Sequence, residues 1–170
     1  MFGTPRINLF NLYAYTDSDY GGCNLNRKST TGGCQYLGTR LVSWQCKKQT
    51  TVSISTAEAE YVAAAHCCAQ VLWIQNQMLD FGYNFVDTPM FIDNNATMFI
   101  VQNPVQHGKT KHIDLRHHFL RDCAERGLVH LERIDTELNL ADLFTKPLDS
   151  GRFNFLIKTL GMLNLEPEES

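Results

Sequence analysis

The chain has 170 residues, 44% of them hydrophobic and 19% charged, with a formal net charge of −3. That length suffices for one domain with a true core, since a chain of this size buries close to ~70% of its unfolded surface. No stretch approaches the roughly 18 apolar residues of a membrane helix, and the opening lacks the basic region, apolar run and small-residue cleavage site of a secretory leader, so an intracellular soluble domain is expected.

In chain order, "NLFNLYAYTD" (8–17) is rich in β-forming aromatics with partial alternation and predicts a strand. "GGCQYLGTRLVSWQ" (32–45) holds two apolar runs either side of Gly38-Thr39-Arg40, a hairpin signal. "SISTAEAEYVAAAHCCAQVLWIQNQMLDFG" (53–82) predicts a long helix, capped by Ser55 or Thr56 and closed by Gly82. "PMFID" (89–93) is a short apolar strand, and "NATMFIVQNP" (95–104) a helix stopped by Pro104. "KHIDLRHHFLRDCAERG" (111–127) is an amphipathic helix, "LVHLERID" (128–135) an alternating strand, "ELNLADLFTKPL" (137–148) a helix ended by Pro147, and "GRFNFLIKTLGM" (151–162) a last helix. The order β-β-β-α-β-α-α-β-α-α predicts an α/β domain: an antiparallel meander continued into a mixed sheet with helices on its faces. Residues 1–7 are expected to form an N-terminal extension, 8–162 the domain and 163–170 an acidic tail.

Acids recur at element ends. "YTDSDYGG" (15–22) places Asp17 where the first strand runs out, Asp93 ends the fourth strand, Asp142 opens the helix after the fifth, and Glu60 lies early in the long helix. Sites in open α/β sheets form where strands end and helices begin, and acids gathered there repel one another unless cations sit between them. At about 100° per residue, Glu60 shares its arc with Ala64, Cys67, Val71, Ile74 and Met78 and so points to the packed side, whereas Glu58 sits at the edge of that arc. Singly, each acid has a plainer role: Asp17 and Asp93 as turn formers, Glu60 and Asp142 as acids favoured by the positive end of a helix. The plainer roles leave the set of acids at related ends unexplained.

"YTD" (15–17), "STAEAEYVA" (55–63), "IDNNAT" (92–97), "KTKHIDLRHHFLRD" (109–122) and "LADLFTKPL" (140–148) together resemble the ribonuclease H domain of copia-type (Pseudoviridae-like) retrotransposon reverse-transcriptase polyproteins, from about Asn8 to Met162. The resemblance implies a ribonuclease H-like fold, with a five-stranded mixed sheet whose first three strands are antiparallel, flanked by helices. It implies a metal-dependent endonuclease that cuts the RNA strand of RNA–DNA hybrids during reverse transcription, with Asp17, Glu60, Asp93 and Asp142 as catalytic ligands of two Mg²⁺ or Mn²⁺ ions and Asp17 bridging both. Asp17 is preferred to Asp19 because the family's first acid directly follows "YT". Expected partners are the hybrid and the polymerase domain of the same polyprotein, with no membrane; the expected setting is the cytoplasm, in a virus-like particle, or the nucleus. Candidate nucleic-acid contacts are Thr30, Thr31, Lys47, Lys48, Gln49, Asn94 and Asn139, with Trp44 as a sugar platform.

The loop "IDTELNLAD" lacks the mobile histidine that many cellular ribonucleases H carry near the last aspartate; His112 and His117, on the preceding helix, are accessory candidates. His107, His112 and His117 are spaced by five, about 140° apart on a helix, which does not converge on a zinc ion. The six cysteines contain no CxxC pair and are expected to be reduced thiols, and the sequon at Asn95 is then a chance match. The net charge argues mildly against a nucleic-acid partner, but without the tail acids Glu166, Glu168 and Glu169, 15 basic residues face 15 acidic ones. Two other readings remain open: a catalytically inactive module that binds nucleic acid or docks on the polymerase, and an integrase or junction resolvase of the same fold. The order Asp, Glu, Asp, Asp, with the Glu in the first long helix, speaks for ribonuclease H over integrase.

Overall fold

The computed structural model describes residues 10–22, 25–102 and 114–162, with side chains in the third helix described from His118 onward. The expected N-terminal extension and acidic tail lie outside the described residues, as do His107 and His112 and the side chain of His117.

Strands β1 (Leu12–Asp19), β2 (Thr30–Leu37) and β3 (Arg40–Lys48) form the antiparallel meander. Helix α1 (Thr56–Asp80) then crosses the sheet, and β4 (Thr88–Ile92) returns parallel to β1. Helices α2 (Asn95–Gln102) and α3 (Asp114–Glu125) precede β5 (Val129–Arg133), which pairs parallel to β4. Two short 3₁₀ turns (Thr136–Leu138 and Leu140–Phe144) and helix α4 (Ser150–Leu160) complete the domain. The five-stranded sheet has the order β3-β2-β1-β4-β5.

Alternation along β1 divides the core between the two faces. Leu12 and Ala14 join Met90, Ile92 and Val129 under α1, α2 and α3, where Val71, Val101 and Leu120 pack. Tyr13 joins Cys34, Tyr36 and Phe91 on the opposite face, covered by Leu140, Leu156 and Leu160. Tyr13 and Tyr36 stack at 5.2 Å, and their hydroxyls donate to the carbonyls of Gly38 and Leu160, so each ring is buried without stranding its polar tip.

Helix α1 starts at Ser55, whose Oγ accepts from Glu58 N at 3.1 Å, while Glu58 Oε2 accepts from Ile54 N at 2.7 Å. This is a capping box displaced by one residue at the backbone donor. The helix closes at Gly82, which takes a positive φ of 87°. Ala59, Ala63 and Ala64 are fully buried, and their small side chains let the helix lie close to the sheet.

Two expected elements differ. β1 extends past Asp17 to Asp19 because Ser18 and Asp19 keep pairing with Thr31 and Thr30 of β2. On its other side β1 pairs with β4 only at Ala14 and Tyr15. Beyond Tyr15 the two parallel strands part, which opens a crevice at their C-terminal ends. The helix expected over 137–148 is instead the pair of 3₁₀ turns. Asn139 breaks it with extended backbone (φ −77°, ψ 103°), because its buried side chain donates to Thr16 O at 3.0 Å and accepts from Ala141 N at 3.2 Å. A side chain bonded to distant and local backbone competes with continuation of a helix.

Candidate functional site

Asp17 projects from β1 beside the crevice. Glu60 enters from α1, Asp93 follows β4 directly, and Asp142 lies in the second 3₁₀ turn. Asp17, Glu60 and Asp142 are buried, Asp17 and Glu60 to 3% exposure; Asp93 is part-buried. One carboxylate oxygen from each of Asp17, Glu60 and Asp93 lies within 4.8 Å of the other two.

Each side chain is held by particular neighbours. Asp17 and Ser18 point to opposite faces of the sheet. Ser18 therefore meets α1, and both its backbone N–H (3.1 Å) and its hydroxyl (2.9 Å) donate to Glu60 Oε1. Glu60 Oε2 is left buried with no hydrogen-bond partner. On the other face the Thr145 hydroxyl donates to Asp17 Oδ2 at 2.8 Å. Gly32, opposite Asp17 in the ladder, lets the second 3₁₀ turn press on β2: a Cβ there would lie 2.4 Å from Thr145 Cγ2 and 2.9 Å from Ala141 O. Only glycine admits that approach.

Burial raises the Asp17 carboxyl to about 7; the Thr145 hydroxyl and the Lys146 ammonium oppose the rise, and the nearby Asp93 and Asp142 add to it. Burial raises Glu60 further, to about 9, with Asp17 and Asp93 adding and the two Ser18 hydrogen bonds opposing. Buried carboxylates that repel one another, one with an oxygen unpartnered, fit a positive ion at their centre. The donor set is all oxygen, which suits a hard divalent cation such as Mg²⁺ or Mn²⁺ rather than zinc.

Asp142 stands apart from the other three acids. Its Oδ1 is 2.6 Å from Lys146 Nζ and its Oδ2 is 3.8 Å from Arg152 Nη2. Burial alone would lower the Lys146 ammonium; its hydrogen bond to Asp142 and the charges of Asp17, Asp142 and Asp19 outweigh that and raise it. Asp19 itself folds over the turn, filling the space where a Cβ on Gly22 would be.

The candidate nucleic-acid contacts separate into two groups. Thr31, Gln49 and Asn139 are buried. Gln49 Nε2 donates to Thr31 Oγ1 and Ala59 O, and its Oε1 accepts from Ser53 Oγ, so these groups tie the β2–β3 end to α1. Asn94 Oδ1 accepts from Thr97 N at the start of α2. Thr30 is part-exposed at the start of β2, while Trp44, Lys47 and Lys48 lie exposed along the edge strand β3. Of the histidine candidates, His112 and the His117 side chain lie outside the described residues. Sequence analysis missed Ser18, Thr145, Lys146 and Arg152. Alternation after Asp17 was the available signal for Ser18, and i,i+4 spacing from Asp142 for Lys146; Thr145 stands inside "LADLFTKPL" without any local sign of what it contacts.

No protein-family model matches the chain. It is 34% identical over 173 residues to the retrovirus-related Pol polyprotein from transposon RE2 of Arabidopsis thaliana; the match covers 97% of this chain and 12% of that relative. The chain thus spans about an eighth of the length of that relative. Among solved structures, LC11-RNase H1 in complex with an RNA/DNA hybrid superposes with a TM-score of 0.57 at 14% identity, covering 79% of this chain and 94% of that one. The protease–reverse transcriptase of prototype foamy virus superposes with a TM-score of 0.53 at 9% identity, covering 95% of this chain and 21% of that one. In sequence, then, the chain is similar to a segment of copia-type, retrovirus-related Pol polyproteins, and its fold is ribonuclease H-like.

Proposed function

We propose that this domain is a metal-dependent endonuclease that hydrolyses the RNA strand of RNA–DNA hybrids. The observation that carries it is the meeting of the Asp17, Glu60 and Asp93 carboxylates beside the parted ends of two parallel strands, with Glu60 Oε2 buried and unpartnered. The structure of LC11-RNase H1 with an RNA/DNA hybrid lends support for the substrate.

Asp17, Glu60, Asp93 and Asp142 would hold two divalent cations, Mg²⁺ or Mn²⁺, which when bound supply Lewis-acid activation of water and charge stabilisation at the scissile phosphate. The chain's own residues prepare that position. Ser18 fixes one oxygen of Glu60 and leaves the other for the cation, and the Thr145 hydroxyl fixes Asp17. Strand and helix ends hold the acids rigidly, so little reorganisation is needed at the moment of reaction. Exposed Trp44, Lys47 and Lys48 on β3 would carry the hybrid, the lysines on phosphates and the indole on a sugar face. Selectivity for RNA would rest on 2′-hydroxyl contacts across a shallow minor groove. The polymerase domain of the same polyprotein is the proposed partner, in keeping with the likeness to a protease–reverse transcriptase chain.

The test uses labelled RNA–DNA hybrid, duplex DNA and duplex RNA, each with Mg²⁺ and with chelator. Metal-dependent loss of the hybrid's RNA alone is expected. Binding of the hybrid without cleavage would overturn the catalytic assignment and leave a docking or nucleic-acid-binding module.

A further inference from the structure

The fourth carboxylate already has a cation, and the protein supplies it. Lys146 Nζ sits 2.6 Å from Asp142 Oδ1, within reach of the fields of Asp17 and Asp19. The other three acids converge on one another; Glu60 Oε2 and Asp142 Oδ1 are both buried without a well-aligned hydrogen bond, but only the latter has an ammonium beside it. The site is therefore divided: a group of three carboxylates ready for a positive ion, and a single carboxylate whose charge is balanced from within.

The two basic groups at Asp142 are held differently. Arg152 donates to Thr136 O at 3.3 Å, its guanidinium lies 5.7 Å over the Phe155 ring, and it is 22% exposed. A planar group engaged on several sides stays in place. Lys146 is a compact charge on a flexible stem, 39% exposed, and its only close ionic partner among the described residues is Asp142. It can swing into solvent at small cost, and Arg152, 3.8 Å from Oδ2, then leaves Asp142 partly compensated.

We infer that Lys146 is an internal cation that competes with the second metal ion for Asp142, so that the two ion positions fill unequally. This rests on the metal-dependent reading above. The position lined by Asp17, Glu60 and Asp93 fills first. The position that requires Asp142 fills only when the Lys146 ammonium is displaced. Lys146 is thus a positioning residue that sets the metal concentration at which the complete site forms, and in the metal-free protein it keeps Asp142 from standing as a buried, uncompensated charge.

Mn²⁺ titration of the protein, followed by calorimetry and by the paramagnetic signal of free ion, tests this in wild type, Lys146→Gln and Lys146→Arg. Two separated binding steps are expected in wild type. In Lys146→Gln the second step should move to about fivefold to tenfold lower Mn²⁺ and by clearly more than the first, and the melting temperature in chelator should fall. Lys146→Arg, which keeps the charge, should hold the second step at or above its wild-type concentration. A Lys146→Gln titration that matches wild type, or one in which both steps shift equally, overturns the inference while the metal-dependent reading stands. Absence of Mn²⁺ binding in all three proteins sinks both.

Discussion

Carboxylates cluster at two places in this domain, and the contrast between them shows what marks a site. At the edge strand β5, Asp87 and Glu132 flank His130, with contacts of 2.8 Å to Nδ1 and 2.7 Å to Nε2. Those acids are 66% and 46% exposed, so water solvates them, and each also contacts the imidazole between them. At the crevice beyond Tyr15, Asp17 and Glu60 are buried, face Asp93 and leave an oxygen unpartnered. The first arrangement is complete as it stands and the second is not. Acidic residues alone are common at surfaces; acids moved out of water to face one another are costly unless a proton or a cation neutralises them.

The contrast can be broken most sharply at the crevice. Asp93→Asn should lower hybrid cleavage at least about a hundredfold while the melting temperature in chelator holds or rises, because a repelling charge is gone. Normal cleavage by that variant would remove Asp93 from the site. Gly32→Ala should come next, since its Cβ would meet Thr145 Cγ2 at 2.4 Å and force the turn bearing Asp142 off the sheet. A loss of about 1–3 kcal/mol in denaturant unfolding is expected, together with loss of cleavage; unchanged stability would mean the turn does not press on β2 as described.

pH sharpens the same comparison. Glu60 rises from 4.5 to about 9 and Asp17 from 3.8 to about 7 on folding. The folded protein thus binds more protons than the unfolded one between those values, and stability falls as pH rises through that window. In chelator the melting temperature should decline from about pH 4.5 toward 9; Mg²⁺ or Mn²⁺ should flatten the decline. A decline of equal size with metal present would argue that no cation relieves these acids.

His130 also titrates upward. Its partial burial works against the charged ring, but hydrogen bonds to Glu132 and Asp87 and their charges outweigh it. Its contribution is present below the ordinary histidine pKa and is lost as pH rises through the raised one. That change should be within about 1 kcal/mol, as for exposed pairs, and should persist with metal. His130→Asn should abolish it and leave cleavage unchanged; a cleavage defect would tie the two clusters together.

How far the sequence spoke depended on the range of the interactions concerned. Helix α1 was legible from capping residues and a closing glycine, and the inward direction of Glu60 from its arc of apolar neighbours, all within a few turns of one helix. The hairpin was legible from one short turn. What escaped depends on contacts across the fold. Asn139 breaks the expected helix because it bonds Thr16, 123 residues away, and Thr145 reaches Asp17 across 128. Gln49 and Thr31 read as surface contacts because a polar residue near two lysines has no local sign of burial, and only the packing of α1 against the end of β3 takes them inside. Lys146 read as part of a motif, although its i,i+4 spacing from Asp142 was a local sign of their ion pair.

Neighbouring residues of β1 face opposite ways, Asp17 toward the turn that carries Thr145 and Ser18 toward the long helix. Assembly of the acid cluster therefore depends on both layers having docked on the sheet. A chain collapsed on one side alone would bring only part of the acid set together, leaving either Asp17 or Glu60 without the neighbour that orients it.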